Sequence, residues 1–295
     1  MGRVDKDSNR AFYDTQREED RRRFESGSKA FQAETLVPWV VSHLEPEARV
    51  LDVAGGSGAY ASLIVRAAPV SVVGLDISSS MVRQRSEDPL LPENVVGDME
   101  ALPFVDGAFD AALFVGCLHH VPDPLPALRE AQRVVRPGGT VFAAEPCSLR
   151  VGKAGVAPVP GHPHEFRFSL RFLTGKIREA GLRVEEVRGK RLTLRFLAPR
   201  YHSPPLWMFR AADRVDRLVT AVPGAVALAE LALVRATRPG AAVAGERPGP
   251  GTLACPRCRG ALARTAGELV CGDCETAFAI EDDIPILLAD EVAER

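Results

Sequence analysis

No stretch of this chain is long and apolar enough to cross a bilayer. The most hydrophobic run, residues 221–234, falls short of the ~20 residues a spanning helix needs and carries Pro223, Gly224 and Glu230. It reads as a helix packed on the body of the protein, with a membrane-surface element as the alternative. Surplus charge is also absent. The 37 Lys and Arg against 39 Asp and Glu leave a net charge of -2 and a pI near 6.3. That balance gives no general attraction to phosphate backbones, so nucleic acid is disfavoured as a partner. The first 23 residues lack the apolar centre of a secretory leader, and Lys6 stands where N-myristoylation needs Ser or Thr. A cytoplasmic location is the resulting expectation. Hydrophobic residues at 46% and charged residues at 26% suffice for an ordinary core, and 295 residues allow one large domain or two smaller ones.

What the chain does have begins at residues 50–60, Val-Leu-Asp-Val-Ala-Gly-Gly-Ser-Gly-Ala-Tyr. An apolar strand ends in a carboxylate and a glycine turn, and a second acid, Asp76, closes the next strand. Gly56, Gly58 and Ala61 also fit a dinucleotide-binding turn. Asp52 separates the two readings, because a carboxylate three residues before Gly55 would repel a pyrophosphate but suits a cofactor bearing an ammonium and a sulfonium. Asp76, 21 residues after Gly55, is placed to accept protons from a ribose diol. Taken singly, Asp52, Asp76 and Asp98 also read as cap or turn residues.

Joined by four segments downstream, these residues resemble the class I S-adenosylmethionine-dependent methyltransferases, type 11-like. The segment Gly-Asp-Met-Glu-Ala-Leu-Pro-Phe at 97–104 resembles the turn after the third strand, and Phe-Asp-Ala-Ala-Leu-Phe-Val at 109–115 the fourth strand. Leu-His-His-Val-Pro-Asp at 118–123 resembles the turn after it, and residues 133–142 the helix, reverse turn and fifth strand. The resemblance covers residues 10–200 and implies a Rossmann-like seven-stranded α/β sheet with helices on both faces. It implies S-adenosyl-L-methionine as cofactor, held by Asp52, Ala54, Gly55, Gly56, Gly58, Asp76, Ile77, Met81, Asp98, Met99, Val115 and Leu118, with Asp98 and Met99 at the adenine.

Along the chain, residues 1–45 read as an N-terminal helical lid, 46–236 as the catalytic domain with a helical extension, and 237–252, rich in Gly, Ala and Pro, as a linker. Prolines 158, 160 and 163 exclude a long helix after the fifth strand and suggest a loop covering the substrate. Residues 182–187 and 192–197 resemble the last two strands, joined as a hairpin. Trp207, Met208 and Phe209 read as core, with an apolar substrate pocket as the alternative. Cys117 and Cys147 read as small buried residues.

The sulfonium methyl is already activated, so in-line positioning and a modest base suffice for its transfer. The candidates for that base are His119, His120, His162 and His164. For the last two, in the covering segment, a solvated role is favoured. The turn after strand four has Gly-Cys-Leu-His-His in place of the Asn/Asp-Pro-Pro-Tyr/Phe grip for planar amines. The leading expectation is therefore a small-molecule acceptor in a biosynthetic pathway, with oxygen as the methylated atom. Methylation of RNA or a translation-related protein, and a non-catalytic cofactor-binding scaffold, stand as alternatives.

A second signal lies at the other end of the chain. Cys255-Pro-Arg-Cys258 and Cys271-Gly-Asp-Cys274 supply four thiolates at the spacing of a closed tetrahedral zinc site. A tail of this size cannot bury enough to fold alone, so structural zinc is expected. Residues 253–288 resemble the Trm112-like zinc ribbons. Some members of that family bind and stabilise methyltransferases, which implies either intramolecular docking on the catalytic domain or a tethered module.

Overall fold

A computed structural model describes residues 10–11, 27–149, 151, 154–160, 162–193, 204–222, 224–241, 252–265 and 267–289. Of the N-terminal helical lid expected at residues 1–45, the described residues hold Arg10, Ala11 and, from residue 27 onward, the helix α1 (Gly27–Val41). β1 (Arg49–Val53), β2 (Ser71–Asp76), β3 (Glu93–Gly97) and β4 (Phe109–Val115) are short, nearly continuous apolar runs. Such runs can be buried on both faces, which is the condition of strands inside a parallel sheet. Helices α2 (Ala59–Ala67), α3 (Ser79–Ser86) and α4 (Leu125–Val134) make the crossovers. Then come β5 (Val135–Pro146), a hairpin of β6 (Val156–Val159) and β7 (His162–Phe168), α5 (Leu170–Glu179), β8 (Arg183–Lys190), α6 (Leu206–Val219) and β9 (Leu231–Thr237).

The sheet order is β3-β2-β1-β4-β5-β9-β8, with β9 antiparallel to both neighbours. This is the seven-stranded α/β sheet that the resemblance implies. Leu51, Val53, Phe104, Phe109, Phe114 and Leu128 fill one side of it, and Leu36, Trp39, Val50, Leu113 and Phe142 the other.

Two expectations fail after β5. Leu192 and Thr193 do not begin the last strand: their amides donate to the buried Asp216 carboxylate, at 3.0 and 2.7 Å, so no ladder starts there. Residues 194–197 lie outside the described residues. The strand is instead β9, cut from the apolar run read as helix. Its backbone pairs with β5 on one side and β8 on the other, an environment that a short apolar run accepts as readily as a helix. The covering segment is likewise a hairpin, not an irregular loop. Proline bars helix but tolerates a two-stranded edge, where Pro158 pairs with Phe166.

The C-terminal strands β10 (Leu262–Arg264), β11 (Glu268–Cys271), β12 (Ala277–Glu281) and β13 (Ile284–Leu287) do not stand apart. β13 runs parallel to β3, with Ile286 opposite Val96 and Leu287 opposite Gly97, so the sheet becomes 11-stranded.

Candidate functional site

The carboxyl ends of β1 to β5 gather most of the candidate residues in one place, as ligand sites in open α/β sheets require. Ala54 begins the glycine turn with a left-handed φ of 49°, a conformation that costs an alanine energy and marks a constrained position. Gly55 follows because a Cβ there would lie 2.2 Å from the Asp52 carboxylate. Gly56 donates its N–H to Asp76 Oδ2 at 2.9 Å, and Ser78 donates its N–H to Oδ1 at 2.9 Å. Asp76 thus joins the glycine turn to the start of α3, where the Ser78 hydroxyl caps the Met81 amide. Burial pushes the Asp76 carboxyl up to about 6, with its two amide donors opposing the shift. An acceptor-only group at this strand end fits a ribose diol. Asp98 closes β3, its Oδ1 accepting from the Glu100 amide, and Met99 packs on the core beside it.

Asp52 occupies a setting that its place in the motif does not foretell. Its Oδ2 accepts from Arg85 Nη1 at 2.7 Å, and both side chains are buried. Arg85 lies across Gly74, where a Cβ would sit 2.0 Å from its Nε, and against Gly58. The first acid of the motif is therefore half of a buried ion pair beneath the turn.

The turn after β4 is organised by a residue that the sequence pattern does not single out. Glu145, at the end of β5 and fully buried, accepts at Oε1 from the Cys117 and Leu118 amides, each at 2.9 Å. Its Oε2 meets His119 Nδ1 at 2.9 Å. His119 is 14% exposed, so Glu145 lies inside and the imidazole at the surface of the site. The His120 ring packs at a tilt against His119 with centroids 4.1 Å apart, and its Nδ1 bonds to the His164 carbonyl at 3.0 Å. Burial, with help from His119, pushes His120 down to about 3, so it stays neutral. The structure therefore brings together His119, His120 and the backbone of His164. His162 is exposed on β7, 3.8 Å from Glu165, and is not part of this group. Leu118 is buried, and Val115 packs on the core at the end of β4. The Cys117 and Cys147 thiols are buried and pushed up, Cys147 to about 12, which removes them as nucleophiles.

In the C-terminal unit, the ligand atoms of Cys255, Cys258, Cys271 and Cys274 lie within 4.8 Å of one another. Cys255 and Cys274 sulfurs are 3.7 Å apart, and those of Cys258 and Cys271 3.4 Å. Four sulfurs at ~2.3 Å from one zinc ion would be close to this spacing, so the donor set fits. The unit reaches the cofactor end directly. Ile284 and Leu288 share a core with Val82, Val96 and Ile77, the residue after Asp76. The Val105 and Ala254 amides bond across to Thr252 and Pro103, and Arg259 bonds to Glu130 at 3.0 Å. Glu130 in turn holds Arg133, which caps the Leu102 and Phe104 carbonyls. Arg257 and Arg264 are engaged by Thr276 and Asp283. The basic residues of the ribbon thus have acceptors within the chain.

Sheet order, glycine turn and strand-end acids define an S-adenosylmethionine-dependent methyltransferase domain of class I. Residues 51–143 match the methyltransferase domain family, type 11, and residues 252–283 match the Trm112p-like protein family. Residues 51–143 are accordingly a type 11 methyltransferase domain, and residues 252–283 a Trm112p-like region that holds the four-cysteine cluster. It is 41% identical over 104 residues to the ubiquinone/menaquinone biosynthesis C-methyltransferase UbiE of Dinoroseobacter shibae, covering 33% of this chain and 42% of that one. It is 40% identical over 106 residues to an uncharacterized 37.1 kDa transposon protein of Streptomyces fradiae, covering 34% and 31%. The chain therefore matches under half the length of these curated relatives. A chain from the Haloferax volcanii complex of the Trm112 methyltransferase activator with a methyltransferase superposes with a TM-score of 0.56 at 19% identity, covering 77% of this chain and 98% of that one. Among the described residues, no helix is long and apolar enough to cross a membrane.

Proposed function

We propose that this chain methylates a small, largely apolar molecule, with His119 as the base that prepares the acceptor. The observation that carries this reading is the buried Glu145 carboxylate against His119 Nδ1, beside the glycine turn and Asp76. A carboxylate has no proton to give, so the proton of that bond belongs to Nδ1 and the lone pair stays on Nε2. Glu145 thus fixes the tautomer and the ring orientation, while its other oxygen holds the turn that carries the ring. His120, kept neutral by burial, fastens the hairpin to the same turn through the His164 carbonyl and acts as a positioning residue.

S-adenosylmethionine supplies an electrophilic methyl group when bound. On the protein side, Asp76 would accept the ribose hydroxyls, Asp98 would take the adenine amine, and the glycine turn would let the backbone approach the cofactor closely. His119 would remove the proton of an acidic O–H, leaving charge on oxygen or on a conjugated carbon. The Dinoroseobacter relative is a C-methyltransferase of quinone biosynthesis, which favours carbon over the oxygen expected from sequence. The four cysteines would hold zinc as a structural clamp, stiffening the ribbon behind Asp76 and Asp98.

The test separates binding from transfer. Asp76→Ala should lose cofactor binding by calorimetry. His119→Ala should bind normally, lose transfer of labelled methyl to an organic extract of the source cells, and regain part of it with added imidazole. Full transfer by His119→Ala would defeat the assignment.

A further inference from the structure

The segment between β8 and β9 leaves the sheet at its cofactor end. Lys190 and Leu231 stand opposite one another, Leu231 stands opposite Pro146, and the Cys147 amide bonds to the Glu230 carbonyl at 2.8 Å. α6, carried by this segment, therefore rises beside the strand end that holds Glu145.

Its sequence, Leu-Trp-Met-Phe-Arg-Ala-Ala-Asp-Arg-Val-Asp-Arg-Leu-Val, divides into three strips. Phe209, Ala212, Asp213 and Asp216 are buried. Phe209 stacks on Phe31 of α1 at 5.5 Å. Asp213 takes Lys190 at 2.7 Å, and Asp216 takes the Leu192 and Thr193 amides. Both acids of the helix are thus turned inward and spent on fastening it. The outward side carries Trp207, Ala211, Val215 and Leu218 at the spacing of a single helix face, and Val222 extends the strip. Trp207 is 66% exposed, Leu218 76% and Val222 59%. Beside this strip run the exposed Arg210, Arg214 and Arg217. Arg210 meets Glu34 of α1, and Arg217 meets the inward Asp213.

A soluble helix normally turns charges of both signs outward. This one shows only cations beside large apolar side chains, a tryptophan among them, which is the pattern of a helix lying in a lipid interface. We propose that α6 docks this protein on an anionic phospholipid surface, with Trp207, Val215, Leu218 and Val222 entering the headgroup boundary and Arg214 facing lipid phosphates. The docking would set the cofactor end of the sheet next to the bilayer. An apolar acceptor dissolved there could then reach His119 without crossing water, and this benefit rests on the function proposed above. The docking itself does not.

Tryptophan emission reads the docking directly. The chain has 2 Trp, and Trp39 is buried, so a shift on adding vesicles reports Trp207. Vesicles of phosphatidylcholine with phosphatidylglycerol should shift the emission to the blue and sediment the protein. Pure phosphatidylcholine should do so far less, and added salt should reverse the effect. Arg214→Gln should lower partitioning about fivefold, the weight of one basic residue near an anionic surface. Leu218→Glu should abolish partitioning while leaving labelled S-adenosylmethionine binding intact, which shows that the variant is folded. No shift with anionic vesicles, in protein that binds labelled cofactor, would overturn the proposal. So would a shift that appears without vesicles, rises with protein concentration and accompanies a doubled mass, because the strip would then belong to a second copy. Since no step here needs catalysis, failure of the methyltransferase reading would leave this result unchanged.

Discussion

Glu145→Gln separates a carboxylate that merely props a turn from one that sets the chemistry of its neighbour. The wild-type side chain accepts three hydrogen bonds from a fully buried position: two backbone amides on Oε1 and His119 on Oε2. Alanine would orphan all three donors, at roughly 1–3 kcal/mol each, and that total can exhaust the stability of a domain. Glutamine is the informative change. Its carbonyl oxygen can still take the Cys117 and Leu118 amides, so the turn should persist at a cost of about 1–2 kcal/mol. Its NH2 group, however, must now donate to His119 Nδ1, which moves the ring proton to Nε2 and removes the lone pair from the site. Loss of a positioned base typically costs roughly 10²–10⁴ in rate. We expect kcat/KM for labelled methyl transfer to fall by about that factor, with cofactor affinity by calorimetry unchanged within about threefold. Because Glu145 acts through His119, adding His119→Ala should lower the rate little further. Near-normal turnover in Glu145→Gln, or full additivity with His119→Ala, would refute this reasoning.

Two buried groups give the fold opposed responses to pH. Asp76 is raised from 3.8 to about 6, so its stabilising effect is full below 3.8 and lost as pH rises through 6. His120 is lowered from 6.5 to about 3, so its effect is present above 6.5 and lost as pH falls. Each bears about 1.4 kcal/mol per pH unit, and between pH 4 and 6 the two oppose one another. In denaturant titrations, Asp76→Asn should therefore expose a steeper acid decline, and His120→Gln should flatten or invert it. Cofactor affinity should weaken as pH falls through about 6, where Asp76 takes up a proton. Arg85→Met should cost about 3–5 kcal/mol in the same titrations, because it strands the Asp52 charge in the core. Removing metal with a strong chelator should release four protected strands, raise hydrogen exchange along β3 and weaken cofactor binding. Unchanged exchange at Val95 and Val96 would contradict the clamp.

Residues whose role is local can be read from sequence. The glycine turn, Asp76 and the paired Cys-x-x-Cys knuckles each announce themselves by residue type and spacing, and parallel strands buried on both faces appear as apolar runs. Glu145 escapes such a reading because it is a single acid after an apolar strand, with partners 26 to 28 residues upstream. Its one signal is a carboxylate at the end of an apolar strand. Arg85 looks like a surface residue of a short helix, and only the absence of a side chain at Gly74 lets it turn inward. β9 is hidden because the short apolar start Leu-Ala-Leu-Val after an alanine-rich stretch satisfies either period, and the pairing that decides between them comes from β5 and β8. The contact of β13 with β3 depends on two edges nearly 200 residues apart, which no local pattern records.

The most direct measurement is transfer of labelled methyl from S-adenosylmethionine into fractionated extract of the source cells, comparing wild type with Asp76→Ala. Label in organic-soluble small molecules, present with wild type and absent with the variant, is the predicted result. Label in RNA or protein, or equal labelling by both proteins, would contradict it.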